Sequence, residues 1–325
     1  MSDLPRLLER ALEARRELRA RLEAEGTDAW RLFHGISEGR PGLAVDRYGP
    51  LLLAQGFREE LAASDLEALG RVAADLGLEL AVWRRGVPGS GPAPEEPGLL
   101  CHEQGQVFRI ADRPRGLDPY LFLDFRAGRR WLRREVPATA EVLNVFAYTC
   151  SAGVAAAARG AEVWNVDFGR WCLEVGRENG ALNGLDPERF HLWREDAFPI
   201  LWQLAGTGVR GRGARRPYMR VGPRSFDVII LDPPTRATSP FGKVDLVADY
   251  PAMLKPCLLA TRPGGRVLAT NHAPELDREA WERILVRTGE KAGRPVRVAE
   301  FLEPEEDFPS LDGAPPLKIA VLEVG

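Results

Sequence analysis

The sequence predicts an α/β protein: a mostly parallel, doubly wound sheet of seven strands over residues 118–325, preceded by a small α+β domain over 31–117 and an N-terminal amphipathic helix over 1–30. Three observations predict it. Apolar runs of strand length alternate with helical segments beyond Asp118; the acids Asp167, Asp196 and Asp232 follow three of those runs; and the last run, Lys318 to Leu322, has no helix of its own, which suits an antiparallel edge.

The N-terminal helix is predicted because Leu4, Leu7, Leu8, Ala11, Leu18 and Leu22 share one helical stripe, with Pro5 near its start and Gly26 at its stop. Its outer face alternates Arg15, Arg16, Arg19 and Arg21 with Glu9, Glu13, Glu17 and Glu23, the pattern of a solvated face with internal ion pairs. From Trp30 to Leu117 short strands are punctuated by Gly and Pro. Pro41 to Gly49 and Leu51 to Gln55 read as two strands around a turn, Ala62 to Leu76 as a helix, Ala81 to Arg85 as a strand and Gly86 to Gly98 as a surface loop. The seven strands of the large domain are expected at Val142–Phe146, Glu162–Val166, His191–Trp193, Asp227–Leu231, Arg266–Thr270, Val296–Phe301 and Lys318–Leu322.

Composition narrows the function. Lys and Arg number 44 against 47 Asp and Glu, so the net charge of −3 does not mark a general nucleic-acid binder, and any RNA contact needs a local patch. The four cysteines, Cys101, Cys150, Cys172 and Cys257, form no C-x-x-C pair, which suits a reducing cytoplasm and supplies no zinc signature. No leader precedes the helix and no apolar run is long enough to cross a bilayer, so a cytoplasmic protein without membrane or metal is expected.

The chemistry concentrates in Glu141 to Asp167, EVLNVFAYTCSAGVAAAARGAEVWNVD: strand, small-residue loop, alanine-rich helix, strand, acid. Such a unit sets a ligand at the carboxyl ends of strands, where loop amides meet it and the acid accepts from ribose hydroxyls. A nucleoside cofactor is therefore expected, although any parallel βαβ unit shares the outline. The single loop glycine, Gly153, replaces the G-x-G-x-x-G pattern that admits a pyrophosphate, which argues against a nicotinamide dinucleotide. Asp167, Asp196 and Asp232 can each be helix N-cap acids, yet three acids at successive strand ends meet in one crevice. In Asp232-Pro233-Pro234 the prolines remove two amide donors and leave rigid carbonyls that can accept from a flat substrate; a stiff turn ending a buried strand is the other reading.

The Glu141 to Asp167 unit resembles the cofactor half of class I S-adenosylmethionine-dependent methyltransferases. Together with RLFHGISEGRPGLAVDRYG (31–49), YLFLDFR (120–126), FAYTC (146–150) and LDPPT (231–235), it makes the chain similar, from about Leu22 onward, to the bacterial large-subunit (23S) ribosomal RNA methyltransferases that modify cytosine C5 or guanine N7. The resemblance implies a Rossmann-like class I methyltransferase sheet, S-adenosyl-L-methionine as cofactor and RNA, specifically 23S rRNA, as partner; a homodimer is left open. It implies that Leu123, Asp124 and Arg126 line the methionine end of the pocket, that Phe146, Ala147, Tyr148, Thr149, Cys150 and Gly153 wrap it, and that Asp167, Phe168, Asp196, Ala197 and Asp232 complete it. Asp124 and Arg126 also read as a hairpin ion pair.

Three departures from the family pattern bear on function. Many relatives begin with an additional RNA-binding domain, whereas this chain begins at the helix that would follow it. The family's aromatic after Asp-Pro-Pro is replaced by Thr235 and Arg236, leaving Phe241, Tyr250 or the Arg236 guanidinium to stack on a target base. The cytosine branch carries a cysteine after the fifth strand to attack C6, where this chain reads LATNHA (268–273). Guanine N7 needs no thiolate, so transfer to a purine nitrogen is favoured, with Asp232, Pro233, Pro234, Asn271 and His272 as the catalytic set. A small-molecule or protein methyltransferase on the same scaffold, or a non-catalytic relative, are the competing readings. Finally, Arg210, Arg212, Arg215, Arg216, Arg220 and Arg224 surround Tyr218 in an interval (206–225) without an acid, either a basic arm along RNA or a solvated insertion.

Overall fold

The computed structural model describes residues 3–57, 61–85, 98–111, 119–209 and 214–325. The chain divides into two compact units, one of residues 1–126 with 304–313 and one of residues 127–303 with 314–325. The division falls at Arg126 instead of 117, and the N-terminal helix belongs to the first unit. Segment 304–313 joins that unit because its acids are taken up there: Arg126 pairs with Glu305 at 2.8 Å and with the fully buried Asp307 at 2.5 Å, and Arg31 N donates to Asp307 at 2.9 Å.

In the first unit the expected single helix is two, α1 (Leu4–Ala14) and α2 (Arg16–Ala24), broken at Arg15 where φ is −100° and ψ 11°. Arg15 does not stand on a solvated face. Its guanidinium is buried, donates to Arg31 O at 2.8 Å and pairs with Glu38 at 2.5 Å, so buried acceptors draw it inward. Arg16 and Arg21 do stay outside, on Glu13 and on Glu306 respectively. The apolar stripe of Leu4, Leu8, Ala11, Leu18 and Leu22 is buried with Trp30, Leu32, Val45 and Leu52 in one core. That core covers a sheet of β1 (Ala29–His34), β2 (Leu43–Tyr48), β3 (Leu51–Phe57) and β4 (Glu79–Arg85) in this order, the last pair parallel and joined through α3 (Ala63–Asp75). The 31–49 motif is the β1–β2 hairpin, pinned by Arg31 on the buried Asp46 at 2.7 Å. A hairpin of β5 (Leu100–Glu103) and β6 (Gln106–Arg109) follows; residues 86–97 of the expected surface loop lie outside the described residues.

After Arg126, which opens α4 (Arg126–Glu135) and belongs to the first unit, the second unit runs through the rest of α4, β7 (Glu141–Val145), α5 (Ser151–Ala157), β8 (Glu162–Asp167), α6 (Arg170–Leu182), β9 (Phe190–Arg194), α7 (Ala197–Leu204) and β10 (Phe226–Leu231). It continues with the short β11 (Arg236–Thr238) and β12 (Lys243–Asp245), then α8 (Tyr250–Leu259), β13 (Thr261–Asn271), α9 (Arg278–Ala292), β14 (Val296–Leu302) and β15 (Lys318–Val324). The seven predicted strands form one sheet, ordered β14-β15-β13-β10-β7-β8-β9. β15 is antiparallel to both β13 and β14, so the antiparallel strand lies one place inside the edge expected for it. The reason is compositional: Ile319 to Leu322 are all buried, as an interior strand demands, whereas β14 alternates Arg297 and Glu300 with its apolar residues and takes the edge. Strand order reverses between β7 and β10, which opens a crevice at their carboxyl ends.

Candidate cofactor and substrate site

The loop leaving β7 turns within five residues by adopting positive φ at Phe146 (60°), Tyr148 (49°) and Cys150 (62°), none of them glycine. Each such residue costs on the order of 1 kcal/mol and persists only where neighbours over-determine it. Three hydrogen bonds do so: Ala147 N to Val166 O at 3.0 Å, Cys150 N to Ala147 O at 2.8 Å, and Tyr148 N to Asp167 Oδ2 at 2.9 Å. The other Asp167 oxygen accepts from Gly169 N at 2.7 Å. Burial pushes the Asp167 carboxyl above its ordinary range, and the two backbone donors oppose that rise. Each carboxylate oxygen retains a second lone pair for a ribose hydroxyl.

Packing fills the side-chain positions of two residues of the predicted wrapping loop. A Cβ on Gly153 would sit 2.0 Å from Asn165 Oδ1, so this glycine makes room for the buried Asn144–Asn165 pair (2.9 Å) between helix and sheet. Cys150 is wholly buried, with its sulfur where Gly176 lacks a side chain, and burial raises its thiol well above the ordinary value. It packs behind the loop instead of lining the pocket.

Beside this loop lies a cavity of about 440 Å³ walled by Phe146, Phe168, Asp196, Phe198, Ser239 and Phe241, among others. Asp196 caps α7 through Phe198 N at 2.8 Å and receives the Ser239 hydroxyl; burial raises this carboxyl too. The β11–β12 hairpin forms the outer wall. Of this hairpin the sequence singled out Arg236 and Phe241, while the turn Ser239-Pro240-Phe241-Gly242 between two short strands signals the rest. Flat apolar faces, the acids Glu195 and Asp196 and this volume fit an adenosine group.

Across the crevice, Thr270 Oγ1 donates to Asp232, and Thr235 Oγ1 lies 2.6 Å from His272 Nε2, so the end of β13 fastens the Asp-Pro-Pro turn. Pro233 is buried, while Pro234 and Thr235 are exposed. Asn271 does not face outward: it is fully buried, donates to Leu246 O at 2.9 Å and accepts from Ala273 N at 2.9 Å, so packing removes it from the base-reading set. Tyr250 is likewise buried, with its hydroxyl on Thr270 O at 3.0 Å, and offers no stacking face. Arg236 is exposed.

Leu123 and Asp124 lie in a short 3-10 turn (Leu123–Phe125) of the first unit. Arg126 is buried, with Glu305, Asp307 and Ala29 O (2.9 Å) around its guanidinium. The ion pairs of Arg126 are thus made with Glu305 and Asp307 of segment 304–313, where the sequence offered Asp124 as its partner. Within the arginine-rich interval, Arg210 and Arg212 lie outside the described residues; Arg224 pairs with Glu141 at 2.6 Å and lies 3.8 Å over Trp164.

Residues 94–323 match the S-adenosylmethionine-dependent methyltransferase family. The chain belongs to that family. S-Adenosylmethionine is its cofactor. The methyltransferase is 30% identical to ribosomal RNA large subunit methyltransferase I of Aeromonas salmonicida, over 94% of this chain and 75% of the relative, and 30% identical to the protein of that name in Klebsiella pneumoniae (strain 342), over 93% and 74%. Among solved structures it shares the fold of a methyltransferase complexed with SAH (TM-score 0.80, 21% identity, 99% of this chain and 81% of that one) and of a SAM-dependent methyltransferase from Streptococcus mutans (TM-score 0.79, 21% identity, the same coverage). Among the described residues no helix is long and apolar enough to cross a membrane, and no group of three or more His, Cys, Asp or Glu is placed to hold a metal.

Proposed function

We propose that this methyltransferase modifies 23S ribosomal RNA at a purine nitrogen, with guanine N7 the favoured atom. The observation that carries the RNA reading is the similarity, along nearly the whole chain, to enzymes named for large-subunit ribosomal RNA. The purine reading is supported by the thiols: all four cysteines are buried, and the end of β13 offers Thr270, Asn271 and His272 where attack on cytosine C6 would need a thiolate.

The cofactor, when bound, supplies an electrophilic methyl group on a sulfonium. Asp167 and Asp196 would hold its ribose and adenine ends, and the Phe146–Cys150 backbone would wrap it. The Asp232 carboxylate and the carbonyls of Pro233 and Pro234 accept from the amino and imino edge of the purine. His272, hydrogen-bonded to Thr235, keeps that turn in place and borders the base. N7 already carries a lone pair, so the site needs no general base; orientation for in-line displacement supplies roughly 7 to 11 kcal/mol of barrier lowering.

The test is transfer of labelled methyl to ribosomal RNA followed by nucleoside mapping. 7-Methylguanosine is expected. Labelled 5-methylcytidine, or a covalent complex with RNA containing 5-fluorocytidine, would sink the purine reading, and transfer to no RNA would sink the substrate class.

A further inference from the structure

The basic insertion is anchored where it meets the cofactor cavity. Gln203 of α7 donates to Met219 O at 2.9 Å and accepts from Val221 N at 3.2 Å, while Met219 N donates to Glu195, a residue of the cavity wall. Met219 and Val221 pack against the core of the second unit, and Arg220 between them is exposed. The Arg220 guanidinium lies 4.0 Å over the Tyr218 ring and donates to its hydroxyl. The same ring meets Phe241, another wall residue, edge to face at 5.9 Å. Arg215 and Arg216 are exposed immediately before it, and Arg194, also exposed, lines the cavity. Glu195 has its oxygens on the backbone amides of Asp196 and Met219.

A guanidinium stacked on an aromatic ring, held rigidly beside a nucleoside-sized cavity and flanked by exposed arginines, has the chemistry that grips unpaired nucleotides: a flat face for a base, positive charge for phosphates. We infer that Tyr218 and Arg220 form a fixed stacking platform for a single-stranded RNA nucleotide beside the methylated one, with Arg215 and Arg216 on neighbouring phosphates. The inference rests on the RNA reading above and assigns that reading a surface.

Full-length protein and the Tyr218→Ala, Arg220→Ala, Arg220→Lys and Arg215→Ala/Arg216→Ala variants are titrated with a labelled fragment of large-subunit ribosomal RNA over a salt series. Adenosylmethionine affinity is measured alongside by calorimetry. Tyr218→Ala is expected to weaken RNA binding by about 5- to 150-fold without changing the salt slope. The double arginine variant should lower that slope by about 1.4, at about 0.7 per phosphate contact. Arg220→Lys keeps the charge and loses the plane, so it should lose affinity while retaining the slope. If Tyr218→Ala does not fold, the exposed Arg220 pair of variants decides. RNA affinity and transfer equal to the parent in the Arg220 variants overturn the platform and leave the RNA reading intact. A parent protein that neither binds nor methylates any RNA overturns both.

Discussion

Asp167→Asn separates the two tasks given to this carboxylate. In the parent its oxygens accept from Tyr148 N at 2.9 Å and Gly169 N at 2.7 Å, so an amide, with one oxygen and one NH2, must turn a donor toward one of those N–H groups. A buried donor left without an acceptor costs about 1 to 3 kcal/mol, which for a unit of this size is about 2 to 4 °C in Tm per kcal/mol. The strained Phe146–Cys150 loop loses one of its three fasteners at the same time. Cofactor binding loses a charge-assisted contact worth about 1.5 to 3 kcal/mol, or roughly 10- to 150-fold in affinity. Asp196→Asn is the matched comparison: its amide oxygen can still cap Phe198 N while the NH2 donates to the Ser239 hydroxyl, so stability should change little and affinity should fall. Thermal unfolding and calorimetric titration with adenosylmethionine read both. Parent-like affinity in a destabilised Asp167→Asn would refute the ribose role, and parent-like Tm would refute the fastening role.

Burial raises the Asp167 and Asp196 carboxyls, so without cofactor each contributes stability that is complete below its unfolded pKa and lost as pH rises through the higher folded value. Hydrogen-bond donors on the cofactor favour the ionised forms. Binding should therefore release protons, and weaken as pH falls, in the window just above the ordinary aspartate range; calorimetry in buffers of different ionisation enthalpy checks the proton count. Gly153→Ala places a Cβ 2.0 Å from Asn165 Oδ1 and should cost about 1 to 3 kcal/mol in urea unfolding, part of which Asn165→Ala restores in the double variant. Arg126→Ala takes its guanidinium away from the fully buried Asp307 and should destabilise the first unit by about 3 to 5 kcal/mol, read by hydrogen exchange on β1 and β2. Unchanged protection there, with lost cofactor binding, would favour the pocket role for Arg126.

Much of the second unit was legible. Apolar runs marked the strands because a strand inside a parallel sheet is covered on both faces and must be apolar on both, as β7, β8 and β10 are. The acids after the strands were visible for the same reason, since a strand's end is set by where its apolar run stops. The break at Arg15 was not visible: an arginine among glutamates looks solvated until its acceptors, Arg31 O and Glu38, are brought over it from elsewhere in the chain.

Asn271 and Cys150 teach the same lesson inside the site. Their positions along the chain placed them next to chemistry, but side-chain direction is set by which backbone groups need partners and by where a neighbouring glycine leaves space. The period of the apolar runs was enough to lay out the sheet and the acids that follow its strands, and the single-glycine loop, with the family resemblance it carries, was enough for the cofactor class. Folding was needed to show that segment 304–313 joins the first unit, that β11 and β12 wall the cavity, and that Tyr218 and Arg220 stand at its rim. Those depend on hydrogen bonds and ion pairs between residues far apart in the chain, which no local pattern encodes.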